Sequence, residues 1–285
     1  MDVADVMTPR SSVVTVELPG TRDDALEYLQ ERAFSSVPVV KQEDGRERYR
    51  GIVTRNALIE TPDEDQLALL MEETPTVRPT ESVEALARLM TAEEEYRVPV
   101  VDDEFDGIVT VTDVVRAVAH GDVATDAAVE SVSVDAINTV YAATPLPVAE
   151  RELYYADVPY AVVLDDAGEM AGVLTEVDVL AVAEIVEGEA ITGQSMADQD
   201  DAWMWQGVKD TGSRYMPTRN VSIPDDPVRE YMTADVVTVS PRKSVREAAQ
   251  LLIGNEIEQL PVVGGGDLVG IVRDADLLGA LLQDD

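Results

Sequence analysis

Apolar residues fall in short runs along this chain, and the runs recur in a fixed order. Each cycle opens with a Thr-Val pair: Thr15-Val16, Thr76-Val77, Thr139-Val140 and Thr238-Val239. An apolar run follows: Val37-Pro38-Val39-Val40, Val98-Pro99-Val100-Val101, Ala161-Val162-Val163-Leu164 and Leu260-Pro261-Val262-Val263. Each cycle closes on a glycine and two apolar residues: Gly51-Ile52-Val53, Gly107-Ile108-Val109, Gly172-Val173-Leu174 and Gly270-Ile271-Val272. From the valine of the pair to that glycine the separations are 35, 30, 32 and 31 residues. Such short runs predict strands, and between the first two the spacing of apolar positions lengthens to that of a helix. In repeat two Ser82 is the expected N-cap, with Val83, Leu86, Ala87 and Met90 inward. In repeat four Ser244 caps Val245, Ala248, Ala249 and Leu252. Repeat one has a helix from Arg22 to Arg32, and Pro145 and Pro147 open that of repeat three. Asp165-Asp166-Ala167-Gly168 and Gly264-Gly265-Gly266-Asp267 read as hairpin turns. The predicted order is strand, helix, strand, strand, helix throughout, so the chain is an array of one small unit.

The units are placed at 1–60, 66–120, 125–187 and 227–285, with an insert at 188–226. A unit this small buries too little surface to be comfortable alone, so the units are expected to pair. The closing glycines are 56, 65 and then 98 residues apart, and the insert accounts for the last step. It carries Trp203-Met204-Trp205, Tyr215-Met216-Pro217 and Ile223-Pro224 and shows no clear periodicity. Two readings stand: a linker whose aromatics plug a groove between units, or an element that docks a partner or covers a ligand.

Charge changes the picture. The chain has 57 acidic and 21 basic residues, a net charge of −36, and the acids are scattered along its length. With 45% hydrophobic residues this composition does not read as disorder. It is similar to the acidic proteins of salt-accumulating archaea, where molar salt screens such self-repulsion. Duplex DNA is not an expected ligand for so acidic a surface. There is no cysteine, which excludes disulfides and thiolate metal sites, and His120 is the one histidine. No apolar run approaches the ~18–20 residues of a membrane span. A signal pattern is also missing, so the expectation is a soluble, cytoplasmic protein.

These motifs resemble the CBS domain, the module named after cystathionine β-synthase, and the match covers nearly all of the chain outside the insert. The resemblance implies an α+β fold of four CBS units (β-α-β-β-α), with units one and two forming one Bateman module and three and four another. It is also similar to archaeal stand-alone proteins with four CBS repeats. In that family adenine nucleotides bind in clefts between paired units, through Gly-h-x-Thr/Ser-x-x-Asp at the last strand-to-helix turn. The carboxylate accepts from the ribose hydroxyls, while the hydroxyl and the helix N-terminus face phosphate. Adenine lies between aliphatic side chains near the Thr-Val strand and the proline-bearing strand.

The resemblance implies the following ligand-binding positions. In repeat two, Gly107, Thr110 and Asp113 complete the motif, with Thr76, Val77, Val98 and Pro99 on the neighbouring strands. Arg97 matches a phosphate-contacting arginine of the gamma subunit of AMP-activated kinase. In repeat three, Gly172, Thr175 and Asp178 are again complete and Thr139 and Val140 form the pair, but the proline moves upstream to Pro159. Repeat four keeps Asp276 and places Arg273 where threonine belongs; that arginine either pairs with phosphate or fills an empty cleft. Repeat one has Ala57 in place of the aspartate, with Asn56 beside it, and is expected to be dead or to bind something without a ribose diol. Asp113, Asp178 and Asp276 also read as plain helix N-caps.

His120, just before Gly121, reads as a C-terminal capping charge. No nucleophile–base pair or metal-ligand set is visible, so neither an enzyme nor a catalytic cofactor is expected. The leading expectation is a regulatory protein that binds AMP, ADP or ATP and signals to a protein or ribonucleoprotein partner. S-adenosylmethionine, cationic at sulfur, is the alternative ligand that suits an acidic cleft. An adaptor docking on an enzyme, a transporter or a ribosomal subunit is the alternative function. Association into a homodimer is left open.

Overall fold

The computed structural model describes residues 1–31, 36–54, 57–58, 61, 64–156, 158–188 and 218–282. Each repeat builds a small sheet with helices, the mixed α+β architecture read from the sequence. In repeat one, Val16–Leu18 runs parallel to Ser36–Glu43, which pairs antiparallel with Arg46–Thr54. In repeat three, Thr139–Tyr141 lies parallel to Tyr160–Leu164, and that strand pairs antiparallel with Met170–Thr175. In repeats two and four the Thr-Val pair is reduced to single parallel bridges, Val77 to Val100 and Val239 to Val262. The alternation is that of a half-buried strand: Thr76, Thr139 and Thr238 face out while Val77, Val140 and Val239 are buried.

The capped helices form where the sequence places them. Ser82 accepts the Ala85 N–H at the start of Val83–Glu93, and Ser244 accepts the Glu247 N–H at the start of Val245–Asn255. Each buries the four residues expected to face inward. The last helical segment of repeat four departs from expectation. Ala275–Leu282 is a 3-10 helix, with the poor helix former Gly279 inside it.

The segment that leads into each repeat docks elsewhere. Val3–Val6 opens repeat one, yet Asp2 bridges Ser82 and the Val3 N–H donates to Glu81 O at the head of the repeat-two helix. Leu67–Leu70 opens repeat two and docks on repeat one, where Gln66 bridges Thr21 and the Leu67 N–H donates to Gly20 O. Val129–Ser131 docks on repeat four through Ala128 and Ser244, and Val228–Glu230 docks on repeat three through Pro227 and Pro145. Val3, Leu67, Val129 and Val228 occupy equivalent places, and each is completely shielded from solvent. Leu67 and Leu70 join the core of repeat one, and Val228 joins that of repeat three. Exchange is therefore reciprocal, one with two and three with four.

The closing glycine of each repeat is explained by this exchange. A Cβ on Gly107 would stand 2.2 Å from Thr8 O, on Gly51 2.6 Å from Glu72 O, on Gly172 2.8 Å from Thr233 O, and on Gly270 3.0 Å from Val134 O. In every repeat the docked chain crosses this point and pairs there, as in Pro9 with Gly107 and Ile52 with Glu72. Only a residue without a side chain admits a second backbone so closely.

The chain divides into two compact units. One comprises Met1–Val134, Thr238–Gly264 and Val269–Asp285; the other comprises Asp135–Val237 and Gly265–Leu268. Within the first, the repeat-two helix Val111–His120 packs along Val245–Asn255 of repeat four, and Val83–Glu93 packs on Ala275–Leu282. The second unit holds the core of repeat three and an antiparallel ribbon of Glu184–Gly188 with Thr218–Ser222. The ribbon pairs the end of repeat three with the later part of the insert; Trp203, Trp205 and Tyr215 lie outside the described residues. Among the described residues no charged side chain is fully buried, so the acids sit at or near the surface. No helix among the described residues is long and apolar enough to cross a membrane.

Candidate functional site

The strand-to-helix turn that ends each repeat is built alike. In repeat two Thr110 closes the strand opposite Arg97 and caps the helix Val111–His120. Its N–H and its hydroxyl both donate to Asp113 Oδ2, at 2.9 and 2.8 Å, and the Asp113 N–H returns a bond to the hydroxyl at 3.4 Å. The reading of the aspartate as the cap is thereby corrected. Threonine is the cap, and the acid three residues on completes a capping box. Repeat three repeats the geometry, with Thr175 N–H and hydroxyl donating to Asp178 Oδ2 at 2.8 and 2.7 Å. In repeat one Thr54 caps in the same way, accepting the Ala57 N–H at 3.1 Å, but no carboxylate follows. Asn56 lies outside the described residues.

What distinguishes the three carboxylates is the other oxygen. Asp113 Oδ1 is held by Arg116, one turn along the helix, at 2.9 Å. Asp276 Oδ1 is held by Arg273 Nη2 at 2.8 Å. Asp178 Oδ1 has no donor among the described residues. Arg116 is not among the positions that the resemblance implies; its i to i+3 spacing from Asp113 is the sequence signal for this bond.

The remaining positions fall around these turns. Val77 donates to Pro99 O at 3.1 Å and accepts from Val101 at 2.8 Å, so Thr76 and Val77 flank the strand of Val98 and Pro99 on one side, while the strand of Gly107 pairs with it on the other. Val98 and Pro99 are buried and Arg97 is exposed. In repeat three, Tyr160 pairs with Thr175 as Arg97 pairs with Thr110, and Val162 occupies the register of Pro99. A buried tyrosine thus replaces the exposed arginine. Thr139 and Val140 pair with Val162 and Val163, and Val163 in turn with Gly172.

Repeat three is also more acidic. Glu150 lies on its long helix, Leu146–Ala156, and is only 13% exposed. Desolvation pushes its carboxyl above the usual range; Arg151 opposes this and Glu176 reinforces it. The Glu150 Oε1 atom is buried without a partner among the described residues. Sequence reasoning missed Glu150, although its helix position corresponds to Ala87 of repeat two, where an acid is out of place.

The CBS domain family model matches residues 3–64, 67–120 and 228–283, more than half of the chain, and the chain belongs to that family. A protein of Methanocaldococcus jannaschii, MJ1404, is 25% identical over 279 residues. The alignment covers 97% of this chain but 61% of that relative, so this chain spans less than two thirds of its length. The crystal structure of a conserved protein from Pyrococcus horikoshii superposes with a TM-score of 0.70 at 27% identity. It covers 99% of this chain and all of that one. MJ1225 of Methanocaldococcus jannaschii shares the fold, with a TM-score of 0.63 at 16% identity over 98% of this chain and 99% of that one.

Proposed function

We propose that this chain is a non-catalytic regulatory protein that binds adenine nucleotides at repeats two and three and passes the occupancy to a partner. The observation that carries this is the Thr-x-x-Asp turn. It is built twice with the same bonds, and each time it sets a carboxylate at a helix start, at the end of a strand whose neighbour carries the Thr-Val pair on its far side. A carboxylate so placed accepts from a pair of ribose hydroxyls. Asp113 and Asp178 are the proposed ribose acceptors and Thr110 and Thr175 the groups nearest phosphate. Arg97 supplies a cation in repeat two. The strand residues Thr76, Val77, Val98, Pro99, Thr139 and Val140 flank the base, and Gly107 and Gly172 lie on the strands that lead into the turns.

The ligand changes the partner's response only in so far as it favours one arrangement of the protein over another. Repeat three favours a second ligand class. Tyr160 replaces the arginine and Glu176 follows Thr175, so a ribosyl ligand without net negative charge, such as S-adenosylmethionine, suits it better than AMP. Calorimetric titration of the full chain in molar KCl with AMP, ADP, ATP and S-adenosylmethionine tests the proposal. Uptake that falls at least tenfold in affinity in Asp113→Asn or Asp178→Asn supports it. Absence of heat and of thermal shift with all four ligands refutes it.

A further inference from the structure

Arg273 holds a place that is threonine in the other three repeats. The Asp274 N–H donates to Glu258 O, as Val111 donates to Tyr96 O and Glu176 to Pro159 O, so Arg273 stands where Thr110 and Thr175 stand. Its backbone N–H donates to Asp276 Oδ2 at 2.8 Å, as the threonine N–H groups do. The side chain then goes further. Nε meets the same oxygen at 3.1 Å and Nη2 meets Oδ1 at 2.8 Å, a bidentate fork.

We propose that Arg273 closes repeat four to ribose diols by occupying, from within the chain, both oxygens of the carboxylate that would receive them. The inference rests on the nucleotide-binding reading above. Asp276 has a side chain only 11% exposed, so its charge is poorly hydrated and depends on the guanidinium. A neutral diol would have to displace a cation without replacing its charge. In repeat two Asp113 is shielded to the same degree, but the guanidinium on its Oδ1 is that of Arg116, a separate side chain that reaches Asp113 through one nitrogen only, and in repeat three Asp178 Oδ1 has no donor among the described residues; the two-nitrogen fork on both oxygens is found in repeat four. Repeat four therefore keeps the acid of the motif but uses it to hold an arginine.

The test is a change of stoichiometry in the full chain. Arg273→Thr restores the Thr-x-x-Asp turn with a favoured N-cap residue, and Arg273→Ser does the same if the threonine variant fails to fold. Adenosine, a neutral ribonucleoside, and AMP are titrated into parent and variant in molar KCl, with thermal melts confirming the fold. The expected result is one additional equivalent of adenosine in the variant, removed again in Arg273→Thr/Asp276→Asn. Asp276→Asn alone leaves uptake by the parent within twofold. Parental uptake with no added equivalent in a folded variant overturns this inference alone. Loss of an AMP equivalent in Arg273→Thr also overturns it, because Arg273 then serves phosphate. No uptake by parent or variant overturns the nucleotide-binding reading and this inference together.

Discussion

The Arg246 guanidinium donates to the carbonyl oxygen of His120 at 2.9 Å and thereby caps the C-terminus of the helix that Thr110 begins. Gln250 adds a bond to Ala119 O at 3.0 Å. Repeat four thus supplies the end of a repeat-two helix, where a cation also meets the negative end of the helix dipole. Gly121 gives it room: a Cβ there would stand 2.6 Å from the guanidinium carbon. Arg246→Ala is expected to lower the unfolding free energy by about 1–2 kcal/mol. Urea titrations at constant KCl check this; an unchanged midpoint would mean that the cap contributes nothing.

Two glycines should respond in opposite directions. Gly107→Ala places a Cβ 2.2 Å from Thr8 O, against backbone that cannot rotate aside. A loss of roughly 2–4 kcal/mol is expected, because the docked N-terminal segment must shift or release. Gly254 lies inside the helix Val245–Asn255, and a Cβ there meets nothing within 4 Å. Gly254→Ala should stabilise by about 0.5–1 kcal/mol. Thermal melts of the two variants beside the parent separate close approach from simple helix propensity.

Asp274 gives a pH dependence of definite sign. Burial pushes its carboxyl from 3.8 up to about 6, with Glu258 and Asp276 adding to the rise and the Ala275 N–H and Arg273 opposing it. Between those values the folded chain holds a proton that the unfolded chain has released, so this group's contribution falls as pH rises through the window. Above pH ~6.5 the charged form is a standing penalty. Asp274→Asn, which keeps an acceptor for the Ala275 N–H, should stabilise by about 2 kcal/mol at pH 8. The gain should shrink to nothing below pH ~4. Equilibrium unfolding of parent and variant from pH 4 to 8 tests this; a gain independent of pH would assign the effect to something other than ionisation.

The strands and capped helices were legible because local signals coincide in them: Ser82 and Ser244 precede apolar residues at helical spacing, and Val98 to Val101 is bounded by turn residues. The turn chemistry was half legible. Thr110 with Asp113 has the spacing of a capping box, but which carboxylate oxygen stays open depends on where Arg116 and Arg273 swing, and that is decided by side-chain geometry. The proline shift to Pro159 hid the correspondence of Tyr160 with Arg97, which only the strand register reveals. The exchange of lead-in segments was not legible at all. Periodicity marks Val3, Leu67, Val129 and Val228 as apolar but carries no information on which repeat receives them. The closing glycines likewise belong as much to that exchange as to any ligand, since Gly51 persists in a repeat whose turn has no acid.

Such reciprocity bears on how a chain of this kind can grow. A single added copy would arrive with an apolar plug that has no socket and a socket that has no plug. Duplication by twos leaves every socket filled, so arithmetic parity is built into the covalent order of the polypeptide.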